Sequence, residues 1–405
     1  MAAVKAVLDA ARHFSHHRAD LRAFRPASDK PQVLVVCPNF DIGGGERVVL
    51  DVASLLSAEC DFHAVSTDRS PHRWLAEFQR TFHIVRVPER WRQGRAGFLR
   101  YLSGMIAGLG IRVLVLYENQ PTFDVLPEVR RRFPHLRIVD ITHCEYEEWR
   151  FDRMSATIPL IDARVCISGM LRDYMLDLYR RRGIAPEYAL RVRHISNGID
   201  FSLLDPERQP AGKLRARLGI PADRPVIGWA ARFTHVKNPL LMLEIARSVK
   251  AAAGDRALHF VVAGDGPEMP RCREFLAANP ALADCVSLPG MLPPKEVRDL
   301  LADCFALCLT SSVEGVPLIL AEAMAMGVVP VSTICGAVEE LIHDGETGYL
   351  VPQGPDAGAQ FRERLLAMVG NSAALEPMRA RAREDIRARY GMEAMRAGYR
   401  EAILQ

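Results

Sequence analysis

The feature that most limits what this chain can fold into is an alternation that runs twice along it, short β-branched runs separated by helix-length segments. In the first round the candidate strands are residues 33–37, 62–66, 83–87, 112–117, 137–142, 164–167 and 192–195. A second round follows at 226–230, 258–263, 285–288, 305–309, 329–332 and 349–351. Consecutive strands joined through helices need right-handed crossovers, so each round predicts a parallel sheet covered by helices. Between the rounds, Pro206, Pro210, Gly212, Pro221 and Pro225 make residues 200–225 read as a linker. The expected fold class is α/β, with two Rossmann-like parallel-sheet domains at 31–200 and 201–384 facing a central cleft. Ligands of such sheets bind at the carboxyl ends of the strands. Ahead of them, residues 1–30 read as an amphipathic extension, because Val4, Val7, Leu8, Ala11 and Phe14 recur at helical spacing.

Bulk properties remove several function classes. The 405 residues are 49% hydrophobic and 25% charged with mean hydropathy near zero, as in a soluble globular protein. No 18-residue stretch is free of charge, which argues against a spanning helix, and the first residues lack a secretory signal, so a cytoplasmic location is expected. A net charge of +3 disfavours nucleic acid as a main partner. Residues 1–200 hold 29 Lys and Arg against 24 Asp and Glu, so the first half is the side expected to face an anionic surface. Of nine cysteines none forms a CxxC pair, and Cys304 and Cys308 have no His or Cys nearby to complete a zinc site.

Three strand-end segments carry candidate chemistry. The first, residues 39–47, puts Gly43, Gly44 and Gly45 between a strand and a helix, where free amides favour an anion. It reads equally as a tight turn, and it is not the GxGxxG of a dinucleotide site. The second, residues 231–237, sets Arg232 and Lys237 five apart, able to clamp a diphosphate or to stand as solvated surface charges. The third, residues 311–332, runs from a strand through Gly315 into a helix, with Glu314 and Glu322 eight apart. There the amides of Gly315, Val316 and Leu318 would be free for an anion, while carboxylates accept hydrogen bonds from sugar hydroxyls. The alternative is a helix that merely carries acidic groups near its positive end.

The run from Glu314 to Glu322 resembles the E-x7-E motif of retaining GT-B glycosyltransferases, family 4 in particular. GGGER at 43–47, ISNGID at 195–200, ARFTHVKN at 231–238, VVAGDGPE at 261–268, SLPGMLP at 287–293 and HDGETGYLVP at 343–352 match in order. The resemblance implies a donor site for a nucleoside-diphosphate sugar. In it Arg232 and Lys237 neutralise the diphosphate and Glu314 touches the transferred sugar, with the amides of Gly315, Val316 and Leu318 beside sugar and phosphate. Glu322 would bind the ribose, Gly290 and Met291 the base, and Gly44 and Gly45 would also contact the donor. His143 corresponds to a histidine beneath the donor sugar, although by itself it reads as a hydrogen-bonded strand-end histidine. The last helix, residues 385–405, would cross back to the first domain. Two departures are Pro317, which lacks an amide where the family commonly has glycine, and Cys335-Gly336 in place of Gly-Gly.

The activity so implied is transfer to a glycan or lipid-linked acceptor with retention, in cell-surface polysaccharide or glycoconjugate synthesis. No DxD sequence occurs, so no metal is expected on the diphosphate, and no cofactor beyond the sugar nucleotide. A nucleotide-sugar epimerase of the same fold and a non-catalytic sugar-nucleotide-binding subunit are the competing readings. Residues 90–101 interleave arginines with Trp91, Phe98 and Tyr101, as segments at a membrane interface do, and as a solvated helix face also can.

Overall fold

The computed structural model describes residues 25–26, 28–68, 70–86, 94–117, 119–143, 151, 154–253 and 258–405. The expected N-terminal helix, the last residue of the strand at 83–87 and the start of the 90–101 segment lie outside them. Among the described residues thirteen strands are present: β1 (Gln32–Cys37), β2 (Asp61–Ser66), β3 (Ile84–Arg86), β4 (Ile111–Tyr117), β5 (Arg137–Thr142), β6 (Ala163–Cys166), β7 (Val192–His194), β8 (Val226–Ala230), β9 (His259–Ala263), β10 (Val286–Ser287), β11 (Cys304–Leu309), β12 (Val329–Thr333) and β13 (Tyr349–Val351). They coincide with the thirteen sequence runs to within a residue or two at each end. All pair in parallel, in two sheets ordered β3-β2-β1-β4-β5-β6-β7 and β10-β9-β8-β11-β12-β13. The two expected parallel-sheet domains are therefore what the chain forms. No helix among the described residues is long and apolar enough to cross a membrane.

Of the described residues, those up to 167 together with 171–195 and 395–405 form one compact unit, and those within 168–170 and 196–394 the other. In the first, apolar residues of β1, β4 and β5 (Leu34, Val36, Leu114, Leu116, Ile138, Val139) are wholly buried. Burial of this kind on both faces explains why these strands read as continuous apolar runs. Two charges interrupt the runs, Asp140 and Arg164, which sit opposite each other in the β5–β6 register 3.2 Å apart. The end of helix Met392–Leu404 is fastened to this unit through Arg396 and Arg400, both on the Glu59 carboxylate, and through Arg137 Nε, which donates to the Ala402 carbonyl.

The amino end of the first sheet holds a buried polar group. Asp61 accepts from Ser28 Oγ (2.7 Å) and Gln32 Nε2 (2.9 Å) and lies 3.2 Å from His83 Nε2. His63 Nε2 donates to Gln32 Oε1 at 2.8 Å, which leaves Nδ1 buried with no partner among the described residues.

In the second unit the strands emerge into loops that are tied to one another. After β9, Gly264 (φ +140°) donates its amide to the Gly290 carbonyl beyond β10, at 2.8 Å. The Asp265 carbonyl accepts from the Phe233 amide beyond β8 (2.9 Å), and the Glu268 amide donates back to Phe233 O (2.9 Å). A Cβ on Gly264 would come 1.9 Å from the Ala231 carbonyl oxygen, so only glycine lets the two loops meet. Helix Glu376–Arg389 then packs Ala382 and Ile386 into the cluster that buries Leu320 and Met324 of helix Leu318–Ala325.

Burial, with the neighbouring His83, pushes the His63 pKa down to about 4 from its ordinary 6.5. Between those values the unfolded chain binds a proton that the native chain refuses, so stability falls as pH drops from about 6.5 to 4 and levels off below. Each such histidine contributes a slope of about 1.4 kcal/mol per pH unit. Urea unfolding at a series of pH values is expected to lose one proton's worth of slope in His63→Gln, and parallel profiles for variant and wild type would exclude this role. Gly264→Ala places a side chain against backbone at a left-handed φ and is expected to cost at least about 2 kcal/mol. That loss corresponds to a drop of roughly 4–8 °C in the midpoint of thermal unfolding.

Candidate functional site

The order of the second sheet determines where its chemistry lies. Numbered within the unit, the strands run 3-2-1-4-5-6, and the direction of winding reverses between β8 and β11. At that point the helices leave on opposite faces, the loops part, and a ligand finds room at the carboxyl ends. Those two loops are residues 231–238 and 310–318, the second and third segments singled out in the sequence. The structure brings Lys237 and Glu314 together: Nζ lies 2.6 Å from Oε2, with the lysine side chain 21% exposed and the glutamate 7%. The other carboxylate oxygen, Oε1, accepts from Ser311 Oγ at 2.6 Å.

Each partner is held from beneath. The Lys237 turn is a short 3-10 segment, His235–Lys237, ending on Asn238 in the left-handed region (φ +49°). The Thr310 hydroxyl reaches the carbonyls of Lys237 (3.0 Å) and Asn238 (2.9 Å) while accepting from the buried indole of Trp229 at 2.9 Å. One hydroxyl at the end of β11 thus fastens the loop beyond β8. Beneath Glu314, the Ser312 amide donates to Val236 O (2.8 Å), Thr333 Oγ1 to Ser311 O (2.5 Å) and the Ala337 amide to Gly315 O (3.0 Å). Gly336 (φ +53°) presses on the same backbone, since a Cβ there would stand 1.8 Å from the Glu314 carbonyl oxygen.

The remaining candidates of this unit lie on the loops after β8, β10 and β11 and on helix Leu318–Ala325. Arg232 is exposed on the β8 loop, and no described residue pairs with its guanidinium. Among the described residues the amides of Gly315, Val316 and Leu318 donate to nothing, and Pro317 caps helix Leu318–Ala325 without an amide of its own. Glu322 is the fifth residue of that helix and partly buried. Gly290 (φ +78°) is joined to the β9 loop through its carbonyl, with partly buried Met291 after it. Ser311, Thr310 and Trp229 escaped the sequence reading. The first two lie at the edge of the 311–332 segment, but neighbouring serines and threonines look alike until the loop they face is known.

In the first unit Gly44 and Gly45 open helix Gly44–Leu55, directly after the N-cap Gly43. Gly45 lies against Tyr117 at the end of β4, where a Cβ would meet the hydroxyl at 1.6 Å. The helix start already carries an acid: Glu46 folds its carboxylate back toward Gly43. His143 follows β5, its ring edge-on to Tyr117 with centroids 4.6 Å apart. Its Nε2 is shut from solvent with no partner among the described residues, and desolvation pushes its pKa down to about 3, so the ring is neutral.

Comparison with known proteins follows this division. Residues 224–369, which contain all six strands of the second sheet, match the family described as Glycosyl transferases group 1. The chain is 35% identical over 139 residues to the putative glycosyltransferase EpsF of Bacillus subtilis, an alignment covering 34% of each chain. It is 30% identical over 260 residues to D-inositol 3-phosphate glycosyltransferase 1 of Catenulispora acidiphila, covering 62% of this chain and 59% of the relative. The chain thus spans less than two thirds of the length of these curated relatives. In three dimensions it is similar to Anabaena Alr3699/HepE, solved with UDP and glucose, at a TM-score of 0.71 and 16% identity over 92% of this chain and 98% of the other. Residues 224–369 are therefore similar to glycosyl transferases group 1, and the chain as a whole carries the two-sheet GT-B fold.

Proposed function

We propose that the protein is a glycosyltransferase that moves a sugar from a nucleoside-diphosphate donor to a glycan or lipid-linked acceptor, with retention of anomeric configuration. The observation that carries this reading is the Lys237–Glu314 pair at the reversal of strand order in the second sheet. A cation and a carboxylate side by side match a ligand that is anionic at one end and hydroxylated at the other. The UDP and glucose held by HepE have that chemistry.

Breaking the anomeric C–O bond leaves negative charge on the departing nucleoside diphosphate. Lys237, Arg232 and the amides of Gly315, Val316 and Leu318 supply positive potential where that charge develops, lowering the barrier to transfer. Glu314 accepts from hydroxyls of the transferred sugar, Glu322 from the ribose, and Gly290 and Met291 border the base. Within the first unit His143 is a neutral imidazole able to accept or donate a hydrogen bond, and Gly44 and Gly45 open the helix that follows β1. These protein cations take the place of a metal, and the acceptor is delivered either in solution or at an anionic membrane surface.

Calorimetric titration with nucleoside diphosphate, alongside initial rates of transfer, tests the roles. Lys237→Met is expected to lose at least about tenfold in diphosphate affinity, because removing one partner of a desolvated charge pair leaves the other uncompensated. Arg232→Met loses less, since its guanidinium is exposed and screened. Glu314→Gln is expected to bind the free diphosphate at least as well as wild type and yet transfer sugar poorly. Equal losses of diphosphate affinity in Glu314→Gln and Lys237→Met would refute the division of labour. Full activity in excess chelator is the second expectation, and abolition with rescue by magnesium or manganese would show that a metal sits on the diphosphate after all.

A further inference from the structure

Resting on the reading above, the Lys237–Glu314 pair poses a conflict. The Lys237 ammonium that a diphosphate needs is bonded to the carboxylate oxygen that the sugar hydroxyls need. Three N–H donors let the ammonium reach a phosphate without leaving Glu314, but a sugar hydroxyl that takes its place on Oε2 displaces it, and the surroundings decide which partner then moves. Glu314 is 7% exposed and its backbone is confined by Gly336 and by the Ala337 amide on Gly315 O. Lys237 is three times as exposed and ends in a flexible four-carbon stem with three rotatable donors. The lysine is the member that turns. Once it does, the one hydrogen bond left on the Glu314 carboxylate among the described residues is that from Ser311 Oγ to Oε1. Ser311 is itself wholly buried, with its carbonyl held by the Thr333 hydroxyl.

We infer that Ser311 is a positioning residue. It holds the Glu314 carboxylate by Oε1 while Lys237 exchanges from Oε2 to the diphosphate, so that Oε2 is uncovered, in place, for the hydroxyls of the sugar. Diphosphate binding and sugar recognition are thereby coupled, because the sugar contact is exposed by the same motion that neutralises the phosphates. The hydroxyl acts on the sugar end of the donor only, and the free diphosphate does not need it.

Ser311→Ala, Ser311→Thr and the double variant Ser311→Ala/Glu314→Gln test this against wild type and Glu314→Gln. Ser311→Ala is expected to bind free nucleoside diphosphate within about twofold of wild type, which also reports that the domain is folded. Its kcat for transfer is expected to fall about tenfold or more, with a smaller change in donor KM. Ser311→Thr keeps the hydroxyl and is expected to recover most of the loss. In the Glu314→Gln background Ser311→Ala should cost little further, because the group it positions has lost its charge. Wild-type kcat in Ser311→Ala, or an equal loss in both backgrounds, would overturn the inference while leaving the glycosyltransferase reading intact. If wild type itself binds no nucleoside diphosphate, that reading fails, and the inference with it.

Discussion

The second unit depends on β8 and β11 being neighbours although three helix-length crossings separate them in the chain. A sheet wound in one direction throughout would place each loop beside the loop before it. The reversal instead puts residues 231–238 next to residues 310–318, some eighty positions later. Lys237 and Glu314 belong to those two loops and could not otherwise meet. Parallel pairing of Ala306 and Leu307 with Ile227 and Gly228 sets the level at which both strands end, and therefore the height at which the two side chains emerge. Gly228 lacks a side chain where the Cys304 sulfur comes within 2.5 Å of a would-be Cβ, so the close approach of these strands is written into the sequence of β8.

Holding two loops in register takes more than a shared sheet, since loop backbone carries polar groups that the ladder does not satisfy. Here the groups satisfy each other. The Trp229 indole is wholly buried and would cost about 1–3 kcal/mol if its N–H had no acceptor. Thr310 supplies that acceptor and donates onward to the carbonyls of the Lys237 turn. Valine would fill the same space and leave the indole N–H without its acceptor. The glycines work from the other side: at Gly264 and Gly336 one loop's backbone touches the carbonyl of the next, closer than any Cβ permits. Rigidity around the pair thus comes from hydroxyls and glycines, and the charged side chains are free to serve a ligand.

That division explains what could be read from the sequence. The strands were legible because a doubly covered parallel strand must be apolar along its whole length, and residues 112–117 or 226–230 satisfy that without reference to anything else. Buried charges did not spoil the pattern, because Asp140 and Arg164 fall opposite each other and pair. The segments bearing Arg232, Lys237 and Glu314 were legible as strand ends with charges and glycine. Their contact was not, because it depends on strand order, which local periodicity does not encode. Ser311 was invisible for the same reason, one hydroxyl among several until Glu314 has a direction. Near Gly44 and Gly45 the sequence left an anion site and a tight turn equally open, and Glu46 folds its carboxylate toward the helix start. A side chain in the first turn can choose between solvent and its own helix end, and spacing does not reveal the choice.

Lys237 and Glu314 pair where both are largely shielded from water. Taking two charges from water is about offset by their attraction at best, so such a pair adds little to stability. Without Lys237 the Glu314 carboxylate would lose much of its compensation, and the pairing holds both groups in place. Under the proposed function, a diphosphate that replaces the carboxylate as the partner of Lys237 would exchange one charge-assisted contact for another of similar strength. The exchange would then be close to neutral for the lysine, and the net gain would come from what is added: the exposed Arg232, the amides of Gly315, Val316 and Leu318, and the sugar hydroxyls taking up the freed oxygen of Glu314. A site working in this way would discriminate against ligands bringing only one end of the donor. A bare sugar would find its carboxylate covered by Lys237, and a bare diphosphate would uncover Glu314 and leave that oxygen without its sugar.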